Sequence, residues 1–386
     1  MNTGNWTDAT KWDTNPSYPR NGFPGAGDLY NAVFPANVSP NVSLSGNIKI
    51  EHLSSASSLL LFGAGSSLTL NDGFSFSGSA VAPSQNIMRV SLNLDGGTST
   101  VSGTTSIELL HQAAINNRAI LEIQNNGHIG GNLTSNLSTF NNLAGATFRK
   151  TAGVGVSRIA GGLRFNNAGT VAAHAGTLQF GFDVYNHAGG TLRVESGASI
   201  QFQSPQTFGS GRLEGNGSIG AGTLLTASGA TIAPGLSAGT LLINGNLNFG
   251  ALATLSIEIG GTDPGITYDL LNVDGTMVAG GLLEVSLING FTPGSDSSFT
   301  VVDGTSAISG SFVNVANGGR VTLDDGTSFL VNYGAGSAFP DRVVLSDFRA
   351  VPEPRLWGVF GGAGLLLWAI ARRPVQSSFS PRRPAK

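Results

Sequence analysis

Glu195 and Glu214 are the two carboxylates of this sequence whose spacing could support chemistry. They lie nineteen residues apart, about one repeat of a parallel β-helix, so they could stack on one face of adjacent repeats. Stacked carboxylates can bind and cleave glycans by general acid and base catalysis. Arg193 and Arg212 stand beside them, and a ladder of opposite charges explains the four residues without catalysis. We therefore predict no catalytic residue.

Two glycine motifs of known enzymes occur without the helix that each one requires. Residues 235 to 239 read Gly-Leu-Ser-Ala-Gly, the pattern that places a nucleophilic serine between a strand and a helix. Residues 215 to 220 match the G-x-G-x-x-G pattern of dinucleotide-binding loops, which also need a helix N-terminus. Strand-like sequence follows both motifs, so we predict turns, without a nucleophile or a bound cofactor.

The histidines and the Asp-Gly pairs show no spacing that is typical of metal ligands, so we predict no metal site. The histidines are His52, His111, His128, His174 and His187. Three Asp-Gly-Thr triplets begin at Asp274, Asp303 and Asp325, and we expect turns there because Asp-Gly is a strong turn signal.

Composition and charge exclude several classes of protein. The chain has 386 residues with 56 Gly, no Cys and only 11% charged side chains, so it has neither disulfides nor Cys-ligated metal centres. All 23 acidic residues lie at or before Glu353, whereas only 14 of the 20 Lys and Arg lie there. Residues 1 to 354 therefore carry a net charge of −9, which argues against a nucleic-acid partner.

Most of the chain consists of short alternating runs such as Thr254 to Ile259 and Leu283 to Leu287, separated by Gly and Asn. A loose repeat starts at Phe140, Phe165 and Tyr185, with spacings of 25 and 20 residues, and Ile123 to Gly127 resembles a degenerate copy. His187 takes the place of Asn142 and Asn167 in this repeat. A period near 20 indicates a β-solenoid, in which we expect Asn and Gly to occupy left-handed corner positions.

We predict an all-β protein with a β-solenoid body, similar to a parallel β-helix, and a single C-terminal transmembrane helix. A β-sandwich or jelly roll is the alternative fold, because its turn spacing of roughly 8 to 12 residues also fits parts of the chain. The predicted units are an N-terminal cap with Trp6 and Trp12, solenoid repeats, a C-terminal β module, a sorting and membrane segment, and a basic tail. Their ranges are 1–35, 36–230, 231–349, 350–373 and 374–386.

Residues 356 to 371 form an apolar segment of sixteen residues that is followed at once by Arg372 and Arg373. A helix of this length spans roughly 24 Å, which is short but sufficient if the flanking arginines extend to the membrane surface. The positive-inside rule keeps these arginines cytoplasmic and places the acidic body across the membrane. The predicted anchor residues are Leu356, Trp357, Leu365, Leu366, Leu367, Trp368 and Ile370.

Val351-Pro352-Glu353-Pro354 precedes this segment, and two prolines keep it extended and accessible. The order of this motif, an apolar helix and Arg-Arg resembles the PEP-CTERM sorting signal of Gram-negative envelope proteins. The resemblance implies that exosortase is the processing partner and that extracellular polysaccharide is the destination. The Trp-containing opening and the segment after residue 231 are similar to those of autotransporter-like β-solenoid proteins, which implies a passenger-like stalk.

We therefore expect an exported protein that is anchored in the inner membrane, with its body periplasmic, and that reaches the cell surface after processing. Its expected role is structural or adhesive, in exopolysaccharide or biofilm. A secreted β-helix polysaccharide lyase or glycoside hydrolase is one alternative, and an autotransporter-like adhesin is another. Export also requires an N-terminal signal, and residues 1 to 6 contain none, so we expect the true start to lie upstream.

Overall fold

The fold is built almost wholly from short β-strands. The structure, a computed structural model, describes residues 3–12, 19–20, 29–36, 38–78, 84–131, 137–182 and 184–350. Within these ranges the one helix is a 3-10 turn at Ala9–Lys11, capped by Asp8. The strands of the first half are β1 (Thr3–Asn5), β2 (Asn31–Phe34), β3 (Asn41–Ser43), β4 (Asn47–Ile50), β5 (His52–Ser55), β6 (Leu59–Leu70), β7 (Phe74–Phe76), β8 (Ser84–Leu94), β9 (Thr98–Val101), β10 (Ser106–Leu110), β11 (Ala114–Asn117), β12 (Ile120–Ile123), β13 (His128–Gly131), β14 (Ser138–Asn142), β15 (Thr147–Lys150), β16 (Val156–Ile159), β17 (Leu163–Asn167) and β18 (Thr170–Ala173). Those of the second half are β19 (Thr177–Phe180), β20 (Tyr185–His187), β21 (Thr191–Val194), β22 (Ser199–Phe202), β23 (Gln206–Phe208), β24 (Arg212–Gly215), β25 (Ser218–Ala227), β26 (Thr231–Pro234), β27 (Thr240–Phe249), β28 (Thr254–Ile259), β29 (Leu270–Asp274), β30 (Met277–Ala279), β31 (Leu282–Leu287), β32 (Phe299–Gly304), β33 (Ser309–Gly310), β34 (Arg320–Thr322), β35 (Ser328–Tyr333) and β36 (Arg342–Arg349).

The strands stack in parallel into three faces, and each turn of the chain, called a rung here, adds one layer to each face. The first face contains β1, β3, β10, β13, β16, β19, β22, β29 and β32. The second contains β4, β11, β14, β17, β20, β23, β30 and β33. The long strands β6, β8, β25 and β27 bend, so that each of them contributes to both of these faces. The third face is a separate sheet of twelve strands: β2, β5, β7, β9, β12, β15, β18, β21, β24, β26, β28 and β31.

This parallel stack confirms the β-solenoid and excludes the β-sandwich alternative, whose strands pair in antiparallel fashion. The predicted repeat is also in register, because Phe140 lies beside Phe165 and Phe165 lies beside Tyr185. The rungs differ in length. On the third face Arg212 lies beside Thr231, whereas Thr254 lies beside Leu282, so the chain makes a longer turn in the second case.

The core is a continuous apolar column inside the three faces. Along most strands buried and accessible residues alternate, as in the Thr-Leu-Ser-Ile-Glu-Ile sequence of β28, where every second side chain points inward. Equivalent side chains of successive rungs stack on each other: the ring centroids of Phe140 and Phe165 are 4.6 Å apart, and those of Phe180 and Phe202 are 5.2 Å apart. Stacking of like side chains therefore fills part of the interior.

Glycine is required where successive corners approach each other closely. A Cβ atom on Gly190 would lie 2.2 Å from the carbonyl oxygen of Gly169, and one on Gly211 would lie 2.2 Å from that of Gly190. Gly211 also has a φ of +84°, which L-residues rarely adopt. This glycine column explains part of the high glycine content.

Asparagine plays a different part from the corner role expected of it. Asn117, Asn142 and Asn167 are buried at the ends of second-face strands, and none of them has a positive φ. The Nδ2 of Asn117 donates to the Oδ1 of Asn142 at 2.9 Å, and the Nδ2 of Asn142 donates to the Oδ1 of Asn167 at 2.8 Å. The left-handed assignment was wrong for these asparagines, because their amides are satisfied by the neighbouring rung.

The buried ladder ends in an aromatic pair. The Nδ2 of Asn167 donates to the hydroxyl of Tyr185 at 3.1 Å, and that hydroxyl contacts the Nδ1 of His187 at 2.9 Å. Burial raises the pKa of Tyr185 and lowers the pKa of His187, so both side chains favour their neutral forms. His187 does occupy the position of Asn142 and Asn167, as predicted.

The degenerate repeat copy was assigned to the wrong segment. Residues 120 to 123 belong to β12 on the third face, and Gln124 to Gly127 form the bend after it. The register shows that the earlier copy is Ile115-Asn116-Asn117, with Ile115 beside Phe140. This copy was missed because Arg118, Ala119 and Ile120 follow its two asparagines without the glycine that the other copies have.

Lys150 is a buried cation without a carboxylate partner among the residues that the structure describes. Its Nζ donates to the carbonyl oxygens of Asn125 at 2.7 Å and Ala152 at 2.9 Å, and to the hydroxyl of Ser157 at 2.9 Å. Burial lowers the pKa of this amine. The lysine therefore ties together the bends of two successive rungs and is not free to react.

Both ends of the stack are covered. At the first end Trp6 is fully buried, its ring centroid lies 4.9 Å from that of Trp12, and Trp12 packs at 5.7 Å from Phe34. At the other end β36 pairs in antiparallel fashion with β32, and β35 and β34 continue this antiparallel sheet. Parallel pairing thus continues past residue 230 as far as β33, and β34, β35 and β36 pair in antiparallel fashion.

We expect Asn142→Ala to lower the free energy of unfolding by about 2 to 3 kcal/mol, because it leaves the buried amides of Asn117 and Asn167 without their partner. Asn141→Ala is the matched control, since Asn141 is the adjacent residue of the same strand but faces solvent, and it should cost less than about 1 kcal/mol. Urea unfolding followed by circular dichroism measures both values. An equal decrease in the free energy of unfolding of the two variants would show that the buried ladder stabilises the fold no more than the exposed row does.

Candidate functional site

The third face carries a ladder of opposite charges. Arg149 donates from Nε to the Oε1 of Glu122 at 2.7 Å. Further along, Arg193 lies directly beside Glu214 in the register and donates from Nε to its Oε1 at 2.8 Å. Arg212 donates from Nε to the Oε2 of the same carboxylate at 2.6 Å. The opposite-charge interpretation of the arginines is thus correct for Glu214, although its side chain is only 8% exposed and is not on a solvated surface.

The structure does not stack Glu195 on Glu214. The rung that ends at Glu214 begins at Arg193, two residues before Glu195, so the arginine is the neighbour of Glu214. Glu195 follows the end of β21 and pairs instead with the Nδ1 of His174 at 2.9 Å. The two carboxylates therefore lack the stacked arrangement that the alternative of a glycan-cleaving site at Glu195 and Glu214 required.

Glu214 instead lines a cavity of about 300 Å³ on the third face. The other polar side chains of the cavity wall are those of Arg193, Arg212, Ser237, Ser256, Glu258 and Asp269. Each arginine directs its Nε toward Glu214, and both side chains remain nearly half exposed. The cavity therefore combines two guanidinium groups with three carboxyl groups.

Asp269 is the most unusual group of this cavity, since it is 1% exposed and has no ion-pair partner within the described part of the chain. Its Oδ1 accepts the backbone N–H of Gly239 at 2.9 Å, and its Oδ2 accepts that of Glu258 at 2.8 Å. Burial raises its pKa to about 7, although these hydrogen bonds act in the opposite direction. A carboxyl group that is partly protonated at neutral pH can act as an acid or a base.

Sequence reasoning missed Asp269 because no motif surrounds it. It precedes β29, and the loop from residue 260 to residue 269 folds back to bring it beneath β27 and β28. The contact partners are 30 and 11 residues away in the chain. A buried Asp next to a strand is not distinguishable from an exposed turn residue by local sequence.

The Gly-Leu-Ser-Ala-Gly motif is a turn between β26 and β27, as predicted. Gly235 has a φ of +81°, and Ser237 is exposed. Gly235 exchanges two backbone hydrogen bonds with Gly215, at 2.8 Å and 3.0 Å. Residues 215 to 220 run from the end of β24 into β25, so they too have no helix after them.

The Asp-Gly triplets differ from one another. Asp325 and Gly326 form the turn between β34 and β35, as expected, and Asp325 accepts the N–H of Thr327 at 2.9 Å. Asp274 ends β29 just before a bend. Asp303 lies within β32 and pairs with Arg342 at 2.9 Å, so the turn prediction was wrong for this triplet.

Four of the five histidines, His52, His128, His174 and His187, make local polar contacts through their rings. His52 contacts the carbonyl oxygen of Asp72 at 2.8 Å and the hydroxyl of Ser75 at 2.9 Å. His128 hydrogen-bonds to Glu108, which raises the pKa of the imidazole. Among the residues that the structure describes, no three His, Asp or Glu side chains lie close enough together to hold a metal ion.

The second face carries an outer row of amides. The Nδ2 of Asn116 donates to the Oδ1 of Asn93 at 2.9 Å, Asn141 donates likewise to Asn116 at 2.8 Å, and Asn166 to Asn141 at 2.8 Å. Asn186 continues the row at 3.0 Å from Asn166. These side chains face solvent, unlike the buried ladder one residue further along each strand. The sequence signal was the doubled Asn of the repeat, whose first member forms this row.

The residues predicted for sorting and membrane anchoring lie outside the described part of the chain, as do all residues from 351 to 386. They are Val351 to Pro354, the apolar segment 356–371, Arg372 and Arg373. In the described ranges no helix is long and apolar enough to cross a membrane. No family model, curated protein or solved structure matches this chain.

We expect the pKa of Asp269 to make stability depend on pH. An unfolded chain releases this proton near pH 3.8, whereas the folded protein keeps it up to about pH 7. The stabilisation is therefore complete below about pH 4 and is lost as the pH rises to 7. Urea unfolding at several pH values should show this decline in the wild type but not in Asp269→Asn.

Asp296→Asn is the control, because Asp296 is an exposed carboxylate in the loop between β31 and β32. The free energy of unfolding of this variant should depend on pH as that of the wild type does over the whole pH range. If the stability of Asp269→Asn fell with rising pH as much as that of the wild type, the pH dependence would belong to another titratable group.

Proposed function

We propose that the protein is an exported rod of the cell envelope that is tethered to the membrane by its C-terminus and has a structural or adhesive role. The observation that carries this proposal is the close succession of body and tail along the chain. β36 ends at Arg349, and the Pro-Glu-Pro motif begins three residues later, at Pro352. A capped, rigid body followed so soon by an apolar segment is suited to hold a surface at a fixed distance from a membrane.

The geometry of the body supports a spacer. Each rung hydrogen-bonds only to its neighbours, and the twelve strands of the third face extend over roughly 50 Å at the usual strand spacing. Covered ends keep such a rod from adding strands to another copy. The side-chain ladders on two faces make the rod stiff along its length.

In this proposal the tail directs the protein to its place. Val351 to Pro354 form the processing site, residues 356 to 371 hold the protein in the inner membrane, and Arg372 and Arg373 remain cytoplasmic. The resemblance of this order to the PEP-CTERM signal supports exosortase as the processing enzyme. Polysaccharide at the cell surface is the destination that the same resemblance supports.

We expect replacement of Pro352, Glu353 and Pro354 by alanine to leave the protein full-length in the inner membrane, because the recognised motif is gone. Mass spectrometry of the wild type recovered from the surface should show a C-terminus that lacks residues 356 to 386. Ser377→Ala with Ser378→Ala is the control in the same tail and should be processed normally. Recovery of an intact Lys386 on the surface-exposed wild type would refute the sorting role.

A glycan-cleaving enzyme is the second candidate, and the cavity of the third face is the observation that favours it. Asp269 has the raised pKa of a general acid, Glu258 is a second carboxylate, and the two arginines could bind an acidic sugar. Such a site would act on polysaccharide in the same location. Its chemistry differs from that of a passive spacer, so an activity assay separates the two functions.

For this candidate we expect the wild type to depolymerise alginate and Glu258→Gln to lose roughly a hundredfold or more in rate, as a general acid or base should. Glu195→Gln is the matched control, because Glu195 pairs with His174 and does not line the cavity. Release of reducing ends measures the rate. Absence of depolymerisation by the wild type would eliminate this candidate.

A further inference from the structure

The outer row of the second face is one continuous column of uncharged polar side chains, called the amide column here. The register places its members one above the other in six successive rungs. They are Thr69, Asn93, Asn116, Asn141, Asn166 and Asn186. The same face continues with Thr207, Thr226 and Asn248, which are also in register with one another.

The amide column keeps unused hydrogen-bonding capacity on its solvent side. An Asn side chain has two N–H donors and an oxygen with two lone pairs. In Asn116 and Asn141 the column uses one donor and one acceptor site for the neighbours above and below. Asn116 and Asn141 therefore each keep one donor and one acceptor site that the column does not use, and successive rungs are about 4.8 Å apart.

Small side chains lie beside most of the column, and the described strands of this face carry no acidic residue. The column beside it carries Ser67, Ser91, Ala114 and Thr139, all of them small, before Arg164. No described strand of the second face contains Asp or Glu, although the chain has 23 acidic residues. Glu122 and Glu214 form their ion pairs on the third face. At the edge of the second face Asp95, which follows β8, is neutralised by an ion pair with Arg118, which follows β11.

We infer that the second face binds an extended neutral polysaccharide that lies along the amide column. Sugar hydroxyls are both donors and acceptors, which is the pairing that each rung offers. The small residues beside the column let a straight chain approach several rungs at once. Weak contacts repeated along one polymer add up through effective concentration, so affinity comes from the number of rungs.

Charge and composition distinguish this occupant from others. Residues 1 to 354 carry a net charge of −9, which disfavours an anionic polymer. A second copy of the chain is disfavoured because the amide column offers no aromatic or aliphatic anchor, and stable protein interfaces depend on such anchors. The inference deepens the proposed adhesive role and rests on it for the presence of polysaccharide at the surface.

Co-sedimentation of the purified full-length protein with cellulose, curdlan and cross-linked dextran tests this inference. The protein is kept in a polyoxyethylene detergent, because a sugar detergent would compete. We expect binding to at least one of these glucans, and a loss of roughly fivefold or more for Asn141→Ala with Asn166→Ala. The matched control is Gln179→Ala with Gln201→Ala, a pair of stacked amides on the first face, which should bind like the wild type.

A second variant protects the test against misfolding of the first. Thr139→Glu leaves the amides in place but adds a bulky charged side chain beside them, next to Arg164, and should weaken binding to a similar degree. The Pro352, Glu353 and Pro354 alanine variant should bind normally, so failure of sorting and failure of binding are distinguishable.

Four results would overturn the inference. They are absence of binding to all three glucans, an equal loss in the glutamine control, binding only to alginate, and a dimer in analytical ultracentrifugation that the asparagine variant abolishes. Absence of binding would show that the protein does not bind a neutral glucan. An equal loss in the glutamine control would show that binding does not depend on the amide column. The last two would assign the face to an anionic polymer or to a second copy.

Discussion

Register between rungs is the constraint on which the rest of the structure depends. In a parallel stack each residue lies directly above and below the equivalent residues of the neighbouring rungs. The side chains at one position must therefore be able to contact each other at a spacing of about 4.8 Å. Phe on Phe, Asn on Asn and Gly on Gly satisfy this condition by stacking, by amide hydrogen bonds and by close backbone contact, respectively. Charged side chains satisfy this condition only when opposite charges alternate from rung to rung, as Arg193 and Glu214 do.

The sequence was sufficient for the solenoid where equivalent positions carry the same residue types, as at Phe140, Phe165 and Tyr185. It failed where rung length decides the neighbour. Glu195 and Glu214 seemed one rung apart, but the rung that ends at Glu214 begins at Arg193. A difference of two residues in rung length is enough to replace a carboxylate by an arginine.

The roles of Asn117, Asn142 and Asp269 could not be predicted for a different reason. Local preference places Asn in turns, whereas these amides are held by partners about 25 residues away. The partner of an inter-rung hydrogen bond is a property of the register, which no local pattern contains. Asp269 depends in addition on a loop that folds back beneath two strands, so its environment appears only in three dimensions.

The short range of the rung contacts has a consequence for how the chain can fold. On the third face each new strand finds its partner one rung upstream, so it needs nothing from the chain that follows. A polypeptide delivered N-terminus first can therefore add layers in order, starting from the tryptophan pair, as solenoids with local contacts allow. Only β36 must wait, because it closes over β32 after three other strands have been made. The last parallel strands remain uncovered until β36 has been made and pairs with β32. Folding of the body is therefore completed only when its C-terminal strand is available.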